Sequence, residues 1–238
     1  MTEHNNMGNP QKAGTVIHLD GQAHALRLEE GQARLSLGSA VQSGDVFETD
    51  ENGQLTILFS DGSELMLAPN SRFSLDSFTF NRALRLSRLD AWILDGSFVF
   101  SCGMVSEGGA AVFQTRKAKI HVTNGKIAGK TNAADHVAMF TLLPQNGGHV
   151  GSASLICGEN AVLLGGANDT SVVLGDTGQA SRVTKLSDED LADSYKGLFV
   201  GAWQGVALDT MSPSKQKEAA ARKPKSRSSG HQDSKKTA

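Results

Sequence analysis

Residues 55–80 read LTILFSDGSELMLAPNSRFSLDSFTF, and nearly every second residue is apolar. Leu55, Ile57 and Phe59 fall on one face of an extended segment, Leu65 and Leu67 on one face of the next, and Phe73, Leu75 and Phe78 continue the period of two. The spacing predicts three strands. Asp61-Gly62 predicts a hairpin, because Gly accepts positive φ and the Asp side chain can bond its own backbone two residues on. Pro69-Asn70-Ser71 predicts a second turn, with φ preset by the proline.

The same signal is sustained on both sides of this stretch. Thr15 to Leu19 and Ala23 to Leu28 flank Asp20-Gly21, which reads as another hairpin, and Gly38, Gly44 and Asn52-Gly53 punctuate the segment between Leu28 and Leu55. Residues 82–94 alternate again, and Trp92, Leu94, Phe98 and Phe100 surround Asp95-Gly96. Residues 152–183 repeat short apolar strands ended by Gly or Asp at about ten-residue spacing. The fold class is all-β, a β-helical or jelly-roll/sandwich-like stack of short strands, and periodicity alone leaves those two open.

At 238 residues the chain can bury a proper core, and its apolar runs fall short of the roughly 20 residues of a membrane helix. Residues 1–12 are polar, carry Gly8 and Pro10, and read as a mobile leader without the apolar stretch of a signal peptide. Two cysteines, Cys102 and Cys157, exclude a disulfide framework and are expected as free thiols.

Ser187-Asp188-Glu189-Asp190 is a capping box, followed by Leu191, Tyr195, Leu198, Phe199, Ala202 and Val206 at helical spacing. A docking helix is expected over 187–210, with Leu198, Gly201 and Gly205 as candidate interface residues on its packing surface. From Met211 to Ala238 eight Lys or Arg oppose Glu218 and Asp233, a charge of +6 that leaves −8 on the rest of the chain. That tail has one apolar side chain larger than Ala and reads as disordered, either a solvated extension or a contact for nucleic acid or anionic lipid.

The motifs of enzyme chemistry are missing: no G-x-S-x-G elbow, H-E-x-x-H pair, phosphate-binding loop or dinucleotide fingerprint occurs. The seven histidines show no metal-ligand spacing, and Asp45 and Asp61 read as turn residues rather than calcium ligands. Trp92 and Trp203 read as core and helix-docking residues. No catalytic residue, cofactor or metal site is expected, and no small-molecule substrate.

The run from Gly14 to about Phe113 resembles the FecR domain. The weight rests on SGDVFETDENGQLTILFSDGSELMLAPNSRFSL, where Gly44-Asp45, Thr49, Asp61-Gly62-Ser63 and Asn70-Ser71 fall in the family's order, followed by Asp95-Gly96 in LDGSFVF. The FecR-like β domain with its extra C-terminal strands is placed at 13–186. The resemblance implies a non-catalytic interaction or scaffold module of the bacterial cell envelope or periplasm, contacting an unknown protein partner. The family usually continues into a Thr-Pro-x-Ala run closed by Gly-x-Arg-Gly-Thr. Here His121, Thr123, Asn124 and Gly125 stand instead, so the role of that arginine is missing. The anti-sigma relatives carry helices and a membrane span ahead of the domain, and twelve polar residues cannot supply them, so sigma-factor regulation by that route is not expected. Two alternatives stay open: a retention module of the kind found in secreted adhesins, and a cytoplasmic protein that binds nucleic acid through its basic tail.

Overall fold

The computed structural model describes residues 12–28, 30–84, 86–103, 110–196 and 198. The chain is mostly strand, with one short α-helix. The strands form two sheets, here called front and back, that face each other across a common core.

The chain shuttles between the two layers. Strand β1 (Lys12–Asp20) lies in the front sheet, β2 (Ala23–Arg27) and β3 (Gly31–Arg34) form a hairpin in the back sheet, β4 (Ala40–Gln42) returns to β1, and β5 (Val46–Thr49) joins β2. The hairpin β6 (Gln54–Phe59) and β7 (Glu64–Leu67) pairs β1 in front, and β8 (Arg72–Asn81) pairs β5 behind. Strand β9 (Leu86–Ser101) begins in the back sheet beside β8 and ends in the front sheet beside β7. Three more hairpins then alternate. They are β10 (Ala110–Gln114) with β11 (Lys119–Thr123) behind, β12 (Lys126–Asn132) with β13 (Val137–Leu143) in front, and β14 (Ser152–Cys157) with β15 (Asn160–Leu164) behind. Strands β16 (Asp169–Val173) and β17 (Thr184–Lys185) close the front sheet. The β9–β10 pair is parallel; every other named strand pair is antiparallel. Each hairpin therefore adds a rung to one layer, and the fold is a sandwich built by stacking.

Asp20-Gly21 does not make the hairpin expected of it, because β1 and β2 belong to different layers and find other partners. Gly21 sits there at φ 66° with its Cα against the Asn52 carbonyl, a contact that any Cβ would prevent. Asp61-Gly62 does join a hairpin, with Leu65 opposite Ile57 and Gly62 at φ 83°.

The core lies between the layers. Phe98 and Phe100 of the front sheet meet Phe113 of the back sheet at ring-centroid distances of 5.0 and 4.9 Å, and Phe59 stacks on Phe78 at 5.1 Å. Gly129 faces the Phe98 ring with no room for a Cβ. Apolar alternation places these rings inward by the period of two, and burying such side chains contributes about 1.5–3 kcal/mol each.

The outer face of the front sheet is covered by Leu191 of α1 (Asp188–Ser194) together with Tyr195 and Leu198. Ser187 caps this helix by accepting the Asp190 N–H at 3.1 Å. Leu191, Tyr195 and Leu198 pack on Met66, Val99, Ala128 and Leu143. Among the described residues the helix ends at Ser194, and residues 199–210 of the expected span lie outside them. Tyr195 leaves helical geometry at φ −117° because its ring turns into the sheet, where its hydroxyl meets Thr141 Oγ1 at 3.0 Å and donates to the Ala128 carbonyl at 3.3 Å. Gly201 and Gly205, the leader, Trp203 and the basic tail lie outside the described residues.

Lys126 is buried on this same face. Burial pulls its ammonium down from 10.5 to about 7, partly offset by the charge of Glu64. Between those values the unfolded chain holds a proton that the folded chain has released, so Lys126 makes stability rise with pH through that window. Urea midpoints measured at about pH 7 and pH 9.5 should show this rise in the wild type and a flatter profile in Lys126→Met. Parallel profiles would contradict the burial. A second expectation compares two glycines. Gly62→Ala should cost about 1–2 kcal/mol for left-handed backbone alone, since open space surrounds it. Gly96→Ala, whose Cβ would overlap Ser71, should cost about 1–3 kcal/mol more through overpacking, and equal denaturation midpoints would contradict the close contact.

Candidate functional site

The residues singled out by sequence divide into two groups at opposite ends of the strands. At one end the chain crosses repeatedly between layers, and successive crossings are bonded to one another. The Asp50 N–H donates to the Gln22 carbonyl at 3.1 Å, and the Asn70 N–H donates to the Asp50 carbonyl at 2.9 Å. Thr49 Oγ1 donates to the Ala68 carbonyl at 2.6 Å and accepts the Ser71 N–H at 2.9 Å. Ser71 Oγ accepts the Ser97 N–H at 3.0 Å and donates to the Ser97 carbonyl at 3.1 Å. Asp95 Oδ1 then accepts the Ala133 N–H at 3.1 Å. Thr49, Asn70, Ser71, Asp95 and Gly96 are therefore brought together as a ladder of corners, with Asn70 at φ 53° and Gly96 at φ 88°.

At the other end, Asp61 is buried and caps its own turn, accepting the Ser63 N–H at 3.0 Å and the hydroxyls of Ser63 and Ser87 at 2.9 and 2.8 Å. Ser63 Oγ accepts the Gly103 N–H at 2.9 Å. Gly44 turns at φ 90°, and the buried carboxylate of Asp45 accepts the Gln42 N–H and pairs with Arg27 at 3.0 Å. The hydrogen bonds that Arg27 donates to Asp45 and then to Glu30 hold its guanidinium above its ordinary pKa. These residues satisfy buried backbone groups where the layers join. Their hydrogen bonds hold the corners of the fold in place.

Among the described residues no cluster of three or more His, Cys, Asp or Glu could hold a metal. Cys102 and Cys157 are free, and burial raises both thiols, Cys102 to about 11, which disfavours the thiolate.

Two outward features stand out among the described residues. The first is a cleft of about 680 Å³ on the back sheet, beside the corner ladder. Trp92 lines it together with Arg72, Leu94, Asp95 and Arg116, and Arg72 pairs with Glu48 at 2.9 Å. Trp92 is half-buried and stands on the outer face between Ser74 and Gln114, so it is not the core residue its sequence suggests. The alternation carries the signal that could have found it, since Leu89, Ala91 and Ile93 take the inward positions and leave Trp92 on the opposite parity.

The second feature is an edge. Strand β15 pairs β14 on one side and has no partner on the other among the described residues. Its sequence, Asn-Ala-Val-Leu-Leu, contains no charge, Pro or Gly, and Leu163 is 67% exposed. The other sheet ends differ: β3 carries Arg34, β4 has three residues, and β17 has two with Lys185. Short length and charge protect an edge from pairing with another chain, and β15 lacks both devices.

The sequence model of the family described as FecR protein matches residues 45–142. The match takes in the ladder, the cleft strands and the stretch where the family's arginine is replaced, and it starts later than the resemblance at Gly14. A crystal structure of a protein described as a candidate anti-sigma factor from Parabacteroides distasonis has 14% identity and a TM-score of 0.50, covering 64% of this chain and 65% of that one. A second crystal structure described in the same words has 15% identity and a TM-score of 0.48, covering 62% of each chain. A solved cell surface anchoring domain has 28% identity and a TM-score of 0.25, covering 27% of this chain and 83% of that one. No curated protein shows significant similarity. At 14% identity the first likeness is one of fold.

The ladder can be tested at Thr49, which is buried and bonded on both sides. Thr49→Val keeps the shape but strands the Ser71 N–H and the Ala68 carbonyl, and should cost about 1–3 kcal/mol in urea denaturation. Thr49→Ser should recover most of that loss. A neutral Thr49→Val would show that the corner bonds carry no stability.

Proposed function

We propose that this chain, whose residues 45–142 match the FecR family, is a non-catalytic regulatory module that binds a protein partner in the bacterial envelope by adding a strand to β15. The observation that carries this reading is the open edge: five uncharged residues, the exposed Leu163 among them, paired on one side only among the described residues. Main-chain hydrogen bonds along such an edge supply affinity, and alternate side chains supply selectivity. The FecR match supports a regulatory role, and Thr49, Asp61 and Ser63 spend their side-chain hydrogen bonds on the corners of the sandwich. The envelope location rests on the family resemblance.

A photo-crosslinking residue in place of the exposed Ala161, in cells of the source bacterium, should trap a discrete adduct. Leu163→Lys in the same chain should remove the adduct and leave the melting temperature unchanged, since a charge blunts an edge without disturbing an inward-facing residue. An adduct that survives Leu163→Lys would place the contact elsewhere.

A further inference from the structure

The Trp92 cleft lies four strands from β15 across the back sheet, roughly 19 Å at 4.8 Å per strand, so it is a separate surface. Its volume of about 680 Å³ falls in the range of small-ligand sites, about 300–1,000 Å³. It sits against strands β5, β8 and β9 and the turns that hold Asn70, Arg116 and Ala133, and its charged and aromatic side chains dominate the surface an occupant would meet.

Those side chains have a definite balance. Arg72 and Arg116 offer donors, Glu48 and Asp95 offer acceptors, and the four charges sum to zero. Arg72 and Glu48 hold each other at 2.9 Å, and Asp95 is fixed by the Ala133 N–H, so both walls are set before anything binds. Arg116 is exposed and makes no ion pair among the described residues. Trp92 adds an aromatic surface between the walls. An acidic peptide would meet Glu48 and Asp95 as well as the arginines, and a purely apolar side chain would strip water from all four charges without replacing it. A sugar ring meets neither objection. Its C–H face stacks on an indole, and its hydroxyls both donate and accept.

We infer that the Trp92 cleft is a binding site for a neutral saccharide, with Trp92 as the stacking platform, Arg72 and Arg116 as donors, and Glu48 and Asp95 as acceptors. The site is non-catalytic and independent of strand addition at β15.

The test is titration of the full chain with chitotetraose, cellotetraose and maltotetraose, read from the Trp92 indole N–H resonance, which Trp92→Phe assigns against Trp203. At least one saccharide should give a saturable shift with a Kd between about 10 μM and 5 mM. Arg116→Ala, a change at an exposed residue that leaves the fold intact, should weaken that binding about tenfold, and Trp92→Ala should abolish it in a chain whose amide spectrum remains that of the folded protein. No saturable shift with any of the three sugars would overturn the assignment. So would binding that Arg116→Ala leaves unaltered, or a hexaglutamate peptide that saturates the same resonance more tightly than every sugar.

Discussion

Strand β9 leaves the back sheet and enters the front sheet without a break, and Gly96 lies flush against Ser71 at the point where it crosses. The rest of the sandwich depends on that contact. Because one strand belongs to both layers, the register of β8 behind and of β7 and β12 in front is set by the same sixteen residues. A slip of one residue would turn Phe98 and Phe100 out of the core in one layer and Leu89 and Ala91 out of it in the other. The Ser71 hydroxyl prevents the slip by holding both backbone groups of Ser97. Buried polar residues here serve geometry: they fix where the chain turns, while the aliphatic and phenylalanine side chains between the layers supply the burial.

That division of labour explains which parts of the fold the sequence reveals. Alternation in LTILF and ELML is local, and it places Ile57 and Leu65 opposite each other as expected. The partner of a strand is not local. Asp20-Gly21 and Asp61-Gly62 carry the same two residues, yet one turns between layers and the other within a layer, because Gly21 packs against Asn52 some thirty residues away. The corner ladder is visible as punctuation, Thr49, Asn70-Ser71 and Asp95-Gly96, but its bonds run between turns and have no signature in spacing. The helix shows the same limit. Its cap at Ser187 is encoded in four residues, whereas its end at Ser194 is dictated by Thr141 and Ala128, which hold the Tyr195 hydroxyl from two other strands. Residue type alone sends Trp92 to the core, although its parity already places it outside.

The two faces of the sandwich then differ in use. The front face is covered by Leu191, Tyr195 and Leu198. Among the described residues the back face keeps its cleft open and ends in an uncapped rung. Stacked folds need a polar terminal unit, since each rung buries its neighbour and the last has none. Strands β3, β4 and β17 meet that need by charge or brevity, while β15 presents five uncharged residues. An edge of this kind is a liability in an isolated protein and a binding surface in one that has a partner.

The most direct measurement is native-state amide hydrogen exchange on the free chain. With an open edge, protection along β15 should alternate: amides bonded to β14 exchange slowly, and those facing away exchange orders of magnitude faster, while β9 is protected along its length. Uniform protection of every β15 amide would contradict the open edge and, with it, strand addition as the mode of binding.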